Sequence, residues 1–380
     1  MEKQKTYPSQ YEKVKQISEQ LEQGILNLFD NDENFRQWLD TCSKFHNYSL
    51  NNTLLIAMQR PDATAVAGMT TWNKMGRKVT KGSKAIKILA PAPYKRKVEV
   101  DKVDPVTGSV VKNPDGSNAK ETKEITQPAF KIVNCFDVSD TEGRPLPEVG
   151  VNELTGEVND FDAFFEAIKR TSPVPIAFEE IDSGAKGYYH TVENRIAIQE
   201  NMSQVQTIKT ALHETCHSLL HSKEAEKAAD GPSKSRNQKE QEAESVAYIV
   251  SKFFKIDTDA YSISYVGAYA GTRELPELRA SLELIRKTAN ELITKITENL
   301  QIIHKERGVA VDNPLQEASA VSKPTAMDQK TDTKEKSSVL ADLKEKKKAT
   351  MEEKTGEKSE DAKAKTTRKK AKAKGKEETL

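Results

Sequence analysis

Cysteine is scarce in this 380-residue chain, at three residues, Cys42, Cys135 and Cys216. They lie far apart and no Cys-x-x-Cys occurs. That excludes a disulfide framework and a thiolate zinc ribbon, and it fits a reducing compartment. Long apolar runs are missing as well: no stretch of about 18 apolar residues exists, so no membrane span is expected. The opening segment MEKQKTYPSQYEKVKQ has no apolar core, so a secretory signal is not expected and a cytoplasmic location is. Apolar residues are few overall, 36% against 31% charged, with a mean hydropathy of −0.71. A packed chain is commonly about half apolar, so part of this one is expected to stay unpacked.

Charge of either sign is in little excess, with a formal net of +1. Its distribution is uneven. Between Cys42 and Val100 eleven basic residues face two acidic ones, a local net of +9, and from Lys323 to Leu380 eighteen basic residues face twelve acidic ones. The last 70 or so residues are built of Lys, Glu, Ala, Thr and Ser and have no aromatic residue after His304. Such a segment cannot offset its ordering entropy by burial and is expected to be disordered. Its cation-rich end, Lys363 to Lys376, is a solvated tail or a non-specific grip on polyanions.

Tyr11, Val14, Ile17, Leu21, Ile25 and Leu28 predict an amphipathic helix over about 8–29. Phe35, Trp38, Leu39, Cys42 and Phe45 predict a second helix, and Asn51 to Gln59 a third, ended by Arg60-Pro61. Ala63 to Ala67 reads as a strand, Thr70 to Met75 as a short helix closed by Gly76, and Phe130 to Val138 as a strand. Arg77–Val79 and Ala85–Ala90 read as a hairpin across Lys81-Gly82. The turn-rich stretch 101–128 predicts a hairpin insertion, and Gly143, Pro145, Pro147 and Gly150 mark a linker. Aromatic residues interleave with cations here: Phe45, Tyr48, Trp72 and Tyr94 lie among Lys44, Arg60, Lys74, Arg77, Lys78, Lys81, Lys84 and Lys87. Single-stranded nucleic acid needs cations along its phosphates and aromatic faces for unpaired bases, though the same residues serve equally as core and solubilising charge.

The run FHNYSLNNTLLIAMQRPDATAVAGMTTWNKMGRKVTKGSKAIKILAP resembles the N-terminal domain of ArdC-type antirestriction proteins. The resemblance rests on Phe45, Tyr48, Ser49, Asn52, Gln59, Pro61, Val66, Gly68, Trp72, Gly76, Arg77, Val79, Lys81, Gly82, Ile86, Ile88 and Pro91. Ser83-Lys84-Ala85 stands where that family usually has Glu-x-Gly. The resemblance implies a single-stranded DNA-binding module, with Phe45, Tyr48, Asn52, Trp72, Lys74, Arg77, Lys78, Lys81, Lys84 and Lys87 as candidate DNA contacts.

The most specific motif is His213-Glu214-Thr215-Cys216-His217, in a segment whose Ile208, Leu212, Leu219 and Leu220 have helical periodicity. Residues i and i+4 share a helix face, so the two imidazoles can hold one Zn²⁺ while Glu214 serves as general base. A third ligand is expected from the segment 239–247. Its buried stripe is Ala243, Val246, Ala247 and Val250; at 3.6 residues per turn Glu240 lies about 70° and Glu242 about 90° from the stripe centre, which barely separates them. Cys216 turns away from the histidine face and reads as core; His221, near the helix end, reads as capping or solvated. Residues 161–256 resemble the ImmA/IrrE-type zinc metallopeptidases. That resemblance implies Glu240 as the ligand, with Glu244 hydrogen-bonding a ligand histidine in the place the family usually gives to Asn or Asp. Gly187–Tyr189 and Asn194–Ile198 predict two short strands joined by a turn, and the resemblance makes this hairpin the candidate for pairing with extended substrate. Tyr189 or His190 is a candidate oxyanion stabiliser by analogy, against the plainer reading as a packed aromatic and a turn residue. Residues 272–307 predict a long amphipathic helix.

The expected fold class is α+β in two domains: a single-stranded DNA-binding domain over 1–145, and a zincin-like metallopeptidase domain with its C-terminal helix over 146–308. A disordered tail over 309–380 follows. The expected function is a mobile-element-encoded protein of antirestriction or transferred-DNA protection that binds single-stranded DNA and hydrolyses an unidentified protein or peptide with one Zn²⁺ per chain. The alternative is a non-enzymatic antirestriction protein that coats single-stranded DNA and whose zinc braces the fold. A two-metal nuclease is disfavoured, since such sites are carboxylate-rich and this one is built on histidine.

Overall fold

The structure is a computed structural model that describes residues 10–146, 160–228, 234–256 and 274–308. The expected tail and most of the expected linker lie outside the described residues. Helices and sheets are mixed without a βαβ alternation, an α+β arrangement.

Helix α1 (Gln10–Leu28) buries Val14, Ile17, Leu21, Ile25 and Leu28, the stripe its periodicity predicts. Helix α2 (Asp32–Lys44) starts at Asn31, whose side chain accepts from the Asn34 N–H, and α3 (Leu50–Gln59) starts at Ser49 in the same way. Each cap satisfies an N–H that the helix itself leaves free. Strand β1 (Val66–Gly68), helix α4 (Met69–Lys74) and strands β2 (Arg77–Val79) and β3 (Ile86–Pro91) follow. Gly76, at φ 73°, makes the reversal between α4 and β2 that a side chain would resist.

The expected 77–90 hairpin is not formed. Strand β2 pairs antiparallel with β7 (Thr141–Gly143), whereas β3 joins β6 (Phe130–Asp137) in a sheet of order β1-β6-β3. The physical reason is burial. Ile86 and Ile88 of β3 pack into a core with Phe45, Tyr48, Ile56 and Val66, while Arg77 of β2 donates to Thr141 Oγ1 at 2.7 Å and to the Thr141 carbonyl at 2.8 Å.

Contacts group the described residues into two compact units, one comprising 16–89 and 133–308, the other 10–15 and 90–132. The second unit holds the expected insertion. Strands β4 (Tyr94–Asp101) and β5 (Lys120–Gln127) pair antiparallel from Tyr94↔Gln127 to Asp101↔Lys120.

In the first unit, helix α5 (Phe161–Thr171) precedes a three-stranded sheet of order β8-β10-β9. Strand β8 (Ile176–Glu179) runs parallel to β10 (Arg195–Gln199), and β9 (Gly187–His190) pairs antiparallel with β10 in the predicted hairpin. Helix α6 (Gln204–Leu220), capped by Ser203, lies against β9 and β10, with the short α7 (Lys223–Ala228) after it. Helix α8 (Arg236–Phe253) opens with a reciprocal Ser235/Gln238 capping box and buries Ala243, Val246, Ala247 and Val250 completely. The long α9 (Leu275–Glu306) packs on α5 and α8.

This unit includes both the N-terminal helices and the helices of the histidine motif. Helix α2 packs on α8, where Tyr248 donates to Asp40 at 2.7 Å and accepts from Arg36 at 3.3 Å. Helix α9 reaches the other side: Arg286 donates to the Tyr48 carbonyl at 3.0 Å, and Asn290 sits 2.8 Å from His46 Nδ1.

Candidate metal centre

Helical spacing puts His213 and His217 one turn apart on α6, with their Nε2 atoms 3.0 Å from each other. Helix α8 crosses α6 and brings Glu240, whose Oε2 lies 3.4 Å from both Nε2 atoms. These three are the one group of three or more potential ligands found among the described residues. The donors fit a metal. Ligands 2.0–2.1 Å from a tetrahedral zinc stand roughly 3.3 Å apart, close to the edges of this triangle. The charge fits as well. Burial works against a charged imidazole at His213, yet the carboxylates of Glu240, Glu244 and Glu214 push it up to about 10. The carboxylates of Glu240 and Glu244 beside His213 give the site the negative charge that a cation needs. Hydrogen bonds with His213 and His217 keep Glu240 well below the usual carboxylate range.

Glu244, one turn after Glu240, places a carboxylate oxygen 3.0 Å from His213 Nδ1. The distance is that of a hydrogen bond, but the alignment is not, and Nδ1 is otherwise without a partner. Glu214 is 8% exposed, and burial raises its pKa against the pull of His213 and His217 and a hydrogen bond from the Tyr189 backbone N–H. Strand β9 lies against the helix that carries the candidate base. Gly187 makes that approach possible: a Cβ there would lie 2.5 Å from Thr210 Cγ2 and 2.8 Å from the Ala197 carbonyl oxygen. A cleft of about 320 Å³ opens beside His213, lined by Lys186, Gly187, Gln206, Thr210, Glu214 and Glu244 among others.

Glu242 does not join the triangle. It is 1% exposed and accepts from Lys234 at 2.6 Å and Ser281 at 2.7 Å, with His221 Nε2 at 3.1 Å. His221 occupies the C-cap position of α6, as expected, but its ring is buried rather than solvated. Its local position hides the reason, because Glu242 lies 21 residues away in sequence. Cys216 is fully buried core. Tyr189 donates to Asn194 at 2.8 Å and His190 Nδ1 accepts from the Glu193 N–H at 3.0 Å, so both side chains serve the β9–β10 turn.

The aromatic candidates for DNA stacking are not on the surface. Phe45 and Tyr48 meet edge to face in the core, and the Tyr48 hydroxyl donates to the Val66 carbonyl at 2.9 Å. Trp72 is fully buried and donates to the Phe136 carbonyl at 3.0 Å. Asn52 spends its amide on the Leu89 backbone, donating and accepting at 2.9 Å each. None of the four presents a face to a base. Arg77 is committed to residues 141 and 144. Lys74, Lys78, Lys81, Lys84 and Lys87 are exposed.

Residues 9–136 match the family model described as the N-terminal domain of anti-restriction factor ArdC, and residues 171–260 match the peptidase-family model described as the IrrE N-terminal-like domain. The chain joins an ArdC-type domain to an IrrE-like domain. Both histidines, Glu214 and Glu240 fall within the IrrE-like match. An uncharacterized protein of Bacillus anthracis is 24% identical over 318 residues; the alignment covers 78% of this chain and 53% of that protein, so the chain spans about half the length of this curated relative. Two crystal structures of the antirestriction ArdC protein from the R388 plasmid are similar. The metal-free one is 19% identical and covers 70% of this chain and 87% of its own, with a TM-score of 0.38. The Mn(II)-bound one is 17% identical and covers 67% and 84%, with a TM-score of 0.38. Among the described residues no helix is long and apolar enough to cross a membrane.

Proposed function

We propose that the protein is a metal-dependent peptidase of antirestriction type that also binds single-stranded DNA. The observation that carries the catalytic part is the convergence of three donors, His213 Nε2, His217 Nε2 and Glu240 Oε2, beside a buried carboxylate and an open cleft. Two imidazoles and one carboxylate suit Zn²⁺, one per chain. Bound there, the ion supplies Lewis acidity toward a carbonyl oxygen and toward water. Glu214 takes the proton of the attacking water and returns it to the leaving amine. Its carboxylate is buried at the wall of the cleft, where it faces the reacting groups out of bulk water. Strand β9, at the edge of its sheet, offers its main chain to an extended substrate.

A zinc that only braced the fold would normally have four protein ligands and no access. Here three donors meet, Glu240 is half-exposed and the cleft reaches Glu214, which favours catalysis. The DNA-binding part rests on the ArdC-type match and on the exposed lysines of residues 74–87, with phosphates rather than bases as the expected contacts.

The test is Glu214→Gln in the full-length protein, assayed on a peptide library by mass spectrometry. The variant is expected to bind zinc like the wild type and to cleave about 10²–10⁴-fold more slowly, the usual contribution of a positioned acid–base group. Equal cleavage by the two proteins would remove Glu214 from the mechanism.

A further inference from the structure

Behind His217, on the side away from the donor triangle, lies a chain of buried polar groups that the reaction does not consume. His217 Nδ1 is 3.0 Å from His221 Nδ1, and His221 Nε2 is 3.1 Å from Glu242 Oε2. Glu242 is further held by Lys234 on the same oxygen and by Ser281 of α9 on the other. The side chains of His221 and Glu242 are 4% and 2% exposed.

The protons on this chain have a single consistent arrangement. His217 turns Nε2 toward His213 and Glu240, so as a ligand through Nε2 it carries its proton on Nδ1. That N–H can only donate to His221 Nδ1, which must then be a lone pair. The His221 proton is thereby placed on Nε2, where Glu242 accepts it. Lys234 already neutralises Glu242, so the carboxylate does not need the imidazole as a counter-charge. What His221 adds is a connection to the metal ligand.

We infer that His221 and Glu242 are positioning residues of the metal centre: they fix the tautomer and ring orientation of His217 and raise its basicity as a ligand. Partners of this kind typically matter about 10–100-fold to metal affinity. The inference rests on the reading of His213, His217 and Glu240 as ligands.

The experiment is a Zn²⁺ titration of the full-length protein in competition with a chromophoric chelator. His221→Phe fills the space of the ring but cannot accept from His217, and it is expected to bind zinc about 10–100-fold more weakly. His221→Gln, whose amide can both accept and donate, is expected to recover part of that affinity. A residue that only filled space would give no such rescue, and the Phe variant would keep wild-type affinity. Glu242→Gln keeps the shape of the buried carboxylate, is expected to weaken zinc in the same direction, and decides the matter if His221→Phe does not fold. Wild-type affinity in the folded variants would overturn the inference. Absence of zinc binding in the wild type would instead overturn the ligand assignment on which it stands.

Discussion

Glu240 and Glu242 are the same residue type two positions apart, yet one turns to the histidines and the other to a closed network. Two steps on an α-helix rotate a side chain by about 200°, so chemistry and spacing alike leave the choice open until the packing of α8 on α6 is known. The histidine pair is legible in sequence because its geometry is local. The His221–Glu242 contact is not, since it joins two helices and its partners carry no spacing signal. Gly187 is equally unreadable, as one of 17 glycines with nothing to mark it but the closeness of α6. Gly187→Ala would thrust a methyl into Thr210 and the β10 backbone. Overpacking of this kind costs about 1–3 kcal/mol, which chemical denaturation should read as a lowered midpoint. Hydrolysis should slow as well, because the added methyl also reaches Glu214, 3.6 Å from its Cγ. A variant as stable and as active as the wild type would show that β9 is not clamped against α6.

Among the elements, helices are more legible in sequence than strand pairings. The stripes of α1 and α9 repeat over many turns, and α3 stops at Arg60-Pro61 as expected. Pairing of β2 and β3 depends on which apolar face finds a core, a non-local matter, and the two strands separate into different sheets. The interleaved aromatic and basic residues have two readings in sequence, and burial divides them: Trp72, Phe45 and Tyr48 are core, while Lys78, Lys81, Lys84 and Lys87 are exposed. Replacing these four lysines with Gln should leave thermal stability within experimental scatter. Binding to a single-stranded oligonucleotide should weaken, and the slope of log K against log salt should fall by roughly 0.7 for each phosphate that is no longer neutralised. An unchanged slope would move the DNA-binding surface elsewhere. Trp72→Ala makes a different change, costing about 3–5 kcal/mol of core, so it reports on folding and not on DNA.

For the molecule as a whole, the two family matches do not coincide with separate packing units. Helices α2 and α3 of the ArdC-type match share a body with α8, which lies in the IrrE-like match, and with α9 beyond it. That body should unfold in one calorimetric transition, with Tyr248→Phe lowering its temperature by cutting the bond to Asp40. Two resolved transitions, only one of them sensitive to Tyr248, would show that the halves fold independently. A boundary drawn through a core has an evolutionary consequence. Recombination can exchange modules freely when their joint is a solvated tether, but a joint made of interlocking side chains penalises every hybrid. The histidine helix and the lysine-bearing strands are therefore expected to travel between genomes as one piece, and substitutions at Asp40, Tyr248, Tyr48 and Arg286 to be inherited in step.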